Sequence, residues 1–205
     1  MPDLNCPNCG DRIDPRIAGF RRVSCASCGT SLLLEDEVVR QAGQAGVMHE
    51  APLLFGIGDT VHIWDMTFDI VGHARFAYGR GWWDEFQAFD GEGRLFWLSI
   101  DEGDVAVQRP VPPDRAPRFD GPPALGAGFR LGDQRYTVNE TDRAECVAIR
   151  GGIDEDMDIG ETHDFVNCTG SGGDLLSGEF WSTGRAWFIG DWADPFEITV
   201  ERQGR

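Results

Sequence analysis

Residues 80–99 read RGWWDEFQAFDGEGRLFWLS. Over 84–89 and 94–100 the apolar residues partly alternate, and the DGEG join between them supplies turn chemistry. Alternation with a period of two sends successive side chains to opposite faces of a strand, so the stretch reads as a β-hairpin. Phe86, Leu95 and Trp97 would then bury area worth roughly 1.5–3 kcal/mol each. Asp84 and Glu85, as strand neighbours, point to opposite faces and are poorly placed as a paired acid and base. A core hairpin fits better than a catalytic pair, with Trp83 and Glu85 retained as candidate ligand contacts.

The same texture extends on both sides. From about residue 54, short β-type runs are punctuated by Gly and Asp, with candidate strands at 60–64, 67–72, 74–78, 84–89, 94–100 and 104–108. The segment 109–126, RPVPPDRAPRFDGPPALG, holds six of the eleven prolines and can be neither central strand nor helix. A second β-rich stretch follows, with candidates at 134–139, 143–149, 163–168, 175–181, 185–190 and 195–201. DEFQAFDG (84–91) and HDFVNCTG (163–170) both place Phe five residues before Gly, just ahead of another strand. That match is too short to establish a duplication.

The N-terminus has a different signature. CPNCG (6–10) and CASCGT (25–30) make the pattern C-x2-C-x15-C-x2-C, with Gly after each pair. Each C-x-x-C turn aims two thiolates at one point, and the Gly relieves crowding so that amides can approach the sulfurs. Cys6, Cys9, Cys25 and Cys28 thus read as a closed tetrahedral zinc site, structural because no coordination position is left for a substrate. Residues 1–34 cannot bury enough apolar area to fold alone, and metal binding of roughly 10–16 kcal/mol would compensate. A Cys25→Ala change should then unfold the ribbon and leave the body largely intact, since the two are expected to have separate cores. Cys146 and Cys168 read as buried small hydrophobes, and His49, His62 and His73 show no metal spacing.

The net charge is −17 over 205 residues. Residues 1–34 carry +1, so nearly all the excess acid lies in the body. Such a body repels phosphate backbones and argues against bulk nucleic-acid binding; a basic protein or a polyamine is the partner class it admits. All 18 basic residues are arginine, which excludes Schiff-base chemistry and a Walker-type phosphate loop. No apolar run reaches the roughly 18 residues needed to span a bilayer, and no signal segment opens the chain, so the cytoplasm is the expected address. Oligomeric state is not legible. In GGIDEDMDIGE (151–161), Asp154, Asp156 and Asp158 alternate as in a calcium loop, but Ile159 and Phe165 occupy the Gly and Glu positions of that motif. The loop reads as a solvated turn; Asp154, Glu155, Asp156 and Asp158 are its candidate contacts for a cation or polyamine.

Several of these features together resemble a bacterial family catalogued as domain of unknown function 4178, in members headed by a zinc ribbon. They are CPNCG…CASCG, Gly58-Asp59, FDIVGHARF (68–76), Gly81-x-Trp83-x-Glu85-Phe86, FWLS (96–99) and RYTVNETDRAECVAIRGG (135–152). The second half departs from the tryptophan motif at ETHDFVN (161–167). The resemblance implies an all-β body and no established reaction. The family's tendency to lie near polyamine-related and membrane-stress genes implies an accessory or binding role.

The expected fold is mainly β. A zinc ribbon (1–34) and a connector with a short helix (35–53, around EDEVVRQAGQAG) precede an antiparallel body. The body comprises a β-subdomain (54–108), a Pro-rich crossing segment (109–126) and a second, candidate related β-subdomain (127–205), sandwich or barrel-like. The expected function is a non-enzymatic cytoplasmic zinc-binding accessory or adaptor protein that binds a partner protein or a small cationic ligand. The alternative is a ligand-processing enzyme using Glu85 with His73 or His163.

Overall fold

The computed structural model describes residues 4–13, 20–35, 38–44, 52–79, 81–154 and 157–202. Among these the chain is nearly all β. The N-terminal strands are β1 (Arg22–Ser24), β2 (Thr30–Glu35) and β3 (Val38–Gln44). The first half of the body holds β4 (Thr60–Ile63), β5 (Met66–Tyr78), β6 (Gly81–Asp90), β7 (Leu95–Asp101) and β8 (Asp104–Pro110). The second holds β9 (Gly128–Leu131), β10 (Gln134–Ile153), β11 (Thr162–Gly170), β12 (Leu175–Trp181) and β13 (Gly184–Ala193), then a 3₁₀ turn (Pro195–Glu197) and β14 (Thr199–Glu201). They form one antiparallel sheet in the order β14-β4-β5-β6-β7-β8-β13-β12-β11-β10-β1-β2-β3, with β9 added to β10. A further pairing of β5 with β10 closes eight strands into a ring.

The expected hairpin is β6–β7, in which Glu85 faces Ser99 and Gln87 faces Trp97. Its neighbour β5 is one bulged strand where two were expected. Before the irregularity between Ile70 and Gly72, Phe68 and Ile70 pack outside the ring with Val61, Phe86 and Leu98; beyond it, Ala74 and Phe76 pack inside with Trp83 and Trp97. One extra residue shifts the period-two pattern, so a single strand serves two cores. The expected strands 134–139 and 143–149 are likewise one bent strand, β10. The closed path is an eight-strand ring that is not barrel-like. The Phe55 cluster covers the outside of β5–β8, and the Pro-rich segment lays Val111, Ala116 and Phe119 over the outside of β10–β13.

The halves repeat in backbone detail. Gly58 and Gly126 adopt left-handed φ of 89° and 80°, and their amides reach the carbonyls of Ile70 and Val138 at 2.9 and 2.8 Å. Returning bonds run from Ile70 N to Asp59 O and from Val138 N to Ala127 O, at 3.1 and 3.0 Å. Bulges follow at matching places, Ile70/Gly72 and Val138/Glu140. Arg75 Nε donates to Asp84 Oδ1 at 2.8 Å, and Arg143 Nε to Asp164 Oδ1 at 2.7 Å. Thus β4–β8 and β9–β13 are two copies of one five-stranded meander. Phe89 faces Leu95 as Thr169 faces Leu175, so Glu85 corresponds to Phe165 and Phe86 to Val166. The DEFQAFDG/HDFVNCTG match is therefore one residue out of structural register.

Two further expectations are corrected. Residues 38–44 of the connector form β3, not a helix, pairing Leu34 with Val39 and Leu33 with Arg40. A segment without a wide apolar stripe has little to bury as a helix, whereas the β2 edge satisfies its backbone. Nor are the ribbon and body cores separate. Val23 pairs with Gly152, Phe20 sits 5.8 Å from Phe89, and Val71 and Phe89 join the cluster around Cys6, Cys25 and Leu32. Gly72 and Gly152 allow this approach: a Cβ on Gly72 would lie 2.1 Å from Gly152 O, and one on Gly152 would lie 2.5 Å from the Phe20 ring.

Candidate functional site

Both cysteine knuckles use the same local bonds. Gly10 N donates to Cys6 O and Gly29 N to Cys25 O, each at 2.8 Å, with both glycines left-handed. The four sulfurs lie within 4.8 Å of one another, with Cys6–Cys28 at 3.8 Å and Cys9–Cys25 at 3.6 Å. A tetrahedral ion with bonds of about 2.3 Å requires sulfur–sulfur edges of about 3.8 Å, so the donor set fits such an ion. The Thr30 hydroxyl, 3.1 Å from Cys28 Sγ, holds that thiol down to about 6, whereas Cys9 is pushed up to about 12, its bond to the Asp11 backbone outweighed by the neighbouring sulfurs and burial.

A half-open cavity of about 630 Å³ lies in the ring. Tyr78, Trp83, Trp97 and Phe165 contribute aromatic walls. Seven carboxylates, Glu85, Glu140 and Glu179 among them, line it, and among the described residues no arginine or histidine does. Trp83 is locked by Phe76, Tyr78 and Phe165 at ring-centroid distances of 5.0, 5.4 and 5.1 Å. Its indole Nε1 donates to Glu85 Oε1 at 2.9 Å. Burial pushes Glu85 up to about 7, against the indole and the Ser99 hydroxyl, which hold it down.

Glu85 begins a belt of polar side chains around the interior. Ser99 Oγ lies 3.3 Å from Glu85 Oε1 and 3.4 Å from Gln108 Oε1, so its one proton serves either acceptor in turn. Gln108 Nε2 donates to Ser177 Oγ (2.8 Å), Ser177 Oγ to Asn167 Oδ1 (2.9 Å), and Asn167 Nδ2 to Glu140 Oε2 (2.9 Å). The belt runs from β6 to β10 and crosses between the meanders at Gln108–Ser177. Sequence reasoning singled out Trp83 and Glu85 but missed the rest, since nothing local marks residues that meet only after ring closure.

The other candidates lie elsewhere. Asp84 faces out of the ring, where His73 Nε2 approaches Oδ1 at 2.7 Å and Arg75 grips both carboxylate oxygens at 2.8 and 3.0 Å. Burial alone would raise Asp84, but His73 and Arg75 hold it below the usual carboxylate range. His73 therefore lies across the sheet from Glu85, and His163 lines a smaller cavity, so neither pairs with it. Asp154 borders that smaller cavity; Asp158 forms an ion pair with buried Arg22 at 2.6 Å. Glu155 and Asp156 lie outside the described residues. Cys146 and Cys168 are buried, and burial pushes both thiols up to about 12, which makes them inert. Among the described residues, no helix is long and apolar enough to cross a membrane.

A family model described as "Domain of unknown function (DUF4178)" matches residues 56–195, which span both meanders and leave out the ribbon. No curated protein and no solved structure matches the chain.

Proposed function

The chain belongs to the DUF4178 family, which prescribes no reaction, and from its geometry we propose a non-enzymatic accessory protein whose ring cavity takes a small organic cation. The observation that carries this reading is the cavity lining, with seven carboxylates, fixed aromatic faces and, among the described residues, no cationic side chain. An ammonium group beside Glu85 would favour its ionised form and lie against rings suited to cation–π contact. Of the candidate contacts, Trp83 and Glu85 line this cavity, whereas Asp158 is paired with Arg22 and Asp154 borders the smaller cavity. The enzymatic alternative, Glu85 with a histidine, finds no support in this arrangement.

Cys6, Cys9, Cys25 and Cys28 would hold one zinc ion, whose role is structural because the four thiolates close its coordination sphere. Metal analysis of freshly purified protein should find one equivalent per chain, and much less than one would overturn the assignment.

Calorimetry with spermidine tests the cavity. Binding should appear at low salt, weaken steeply as salt rises, and fall at least about tenfold in Glu85→Gln. Absence of binding at low salt, or full binding by Glu85→Gln, would refute the reading.

A further inference from the structure

The second cavity, about 300 Å³, is lined by Cys146, His163, Glu179, Trp181 and Ala186 from the second meander, together with Asp154, Met157 and Glu161. By the register of the two meanders these first five correspond to Tyr78, Trp83, Ser99, Asp101 and Ala106. All five of those counterparts line the larger cavity. The smaller cavity is thus the second repeat's copy of one part of the larger, with Glu179 bordering both. The Phe76 cluster, containing Ala144, Cys146 and Phe165, occupies the ring interior alongside them.

The exchanges between the copies point to a ligand. Where the first repeat has Asp101, the second has the indole of Trp181; where the first has Ser99, the second has the carboxylate of Glu179. Asp154 and Glu161 supply two more carboxylates from the segment after β10. One Glu161 oxygen accepts the Asp158 amide at 3.1 Å. His163 is 8% exposed, its ring is part of the lining, and its Nε2 has no hydrogen-bond partner. Burial pushes this imidazole down to about 4, so it adds no positive charge at neutral pH. Among the described residues, only the four cysteines come together as a metal-binding group, so the ligand atoms of this cavity are too far apart to converge on a metal ion and suit a larger organic cation.

We infer that the smaller cavity is a second cation site, taking a primary alkylammonium group against Trp181 and the carboxylates of Glu161, Asp154 and Glu179. It extends the cation reading of the ring, yet each site can fail without the other. The protein would then carry one such site per repeat, the second for a smaller guest because the volume is about half.

The tryptophan indole signals of the ¹⁵N-labelled full chain, titrated with ethylammonium chloride, separate the sites, since Trp83 reports the larger and Trp181 the smaller. In the wild type both signals should shift, each with its own saturation curve. Glu161→Gln should weaken the Trp181 response at least about tenfold and leave that of Trp83; Glu85→Gln should do the reverse. A Trp181 signal that does not move, or that is lost in Glu85→Gln and kept in Glu161→Gln, overturns the second site while the first stands. A Trp181 response that persists when Trp83 never moves overturns the cation reading of the larger cavity instead. Asp154→Asn, on the same wall, should reproduce the Glu161→Gln loss, and full binding by both variants would also overturn the second site.

Discussion

The two meanders share a backbone and differ in what they turn inward. Glu85, Trp97 and Gln108 of the first correspond to Phe165, Ser177 and Phe188 of the second. All six line the larger cavity, so polar and large groups in one copy meet apolar or small groups in the other. A symmetric ring would have placed two glutamates or two phenylalanines at matching points. The exchange leaves a ring with one roomy acidic cavity and one small one. The backbone repeats, and the inward-facing residues differ.

The largest expected difference between the copies concerns their matched ion pairs. Asp84 is 7% exposed at its side chain and holds both Arg75 and His73, whereas Arg143 and Asp164 are 67% and 33% exposed. Asp84→Ala would strand buried charge and should cost about 3–5 kcal/mol in urea unfolding, while Asp164→Ala should cost under about 1 kcal/mol. Equal losses would mean that burial does not distinguish the pairs.

Next in size is the pH dependence set by Glu85, whose counterpart Phe165 cannot titrate. A glutamate ionises near 4.5 when unperturbed and near 7 here. Between those values the folded state binds more protons, so this contribution to stability falls as pH rises and levels off above about 7. Relative to Glu85→Gln, wild type should lose on the order of 2–3 kcal/mol across that window. Spermidine affinity should change in the opposite sense, rising through pH 7 as the carboxyl ionises. An affinity that is flat across pH 6–8 would break the link to Glu85.

Smaller effects probe the shared frame. Gly58→Ala and Gly126→Ala each place a side chain in left-handed backbone with open space around it, and should cost about 1 kcal/mol each. Unequal costs would show that the meander openings are not equivalent. The smallest effect is at the β4–β5 turn, where Trp64 has φ 54° and its counterpart Gly132 has φ 59°. Trp64 is half exposed, so Trp64→Gly should raise stability by up to about 1 kcal/mol by relieving strain.

The zinc-type knuckles, the β6–β7 hairpin and the Pro-rich crossing segment were legible because their signals are local. Paired cysteines, alternation around a Gly-rich turn, and imino acids that cannot donate to a ladder act within a few residues. The opposite orientations of Asp84 and Glu85 followed from strand geometry alone. Ring closure was not legible, because it depends on where bulges at Ile70/Gly72 and Val138/Glu140 reset the inside–outside phase of two long strands. The ribbon's shared core was hidden for a similar reason: Phe20 and Phe89 become neighbours only when β1 pairs with β10. Acidity could be counted from the chain, but not which carboxylates face a common space. Glu85, Glu140 and Glu179 lie on three different strands, and only pairing across the ring, which no short-range pattern encodes, brings them around one cavity.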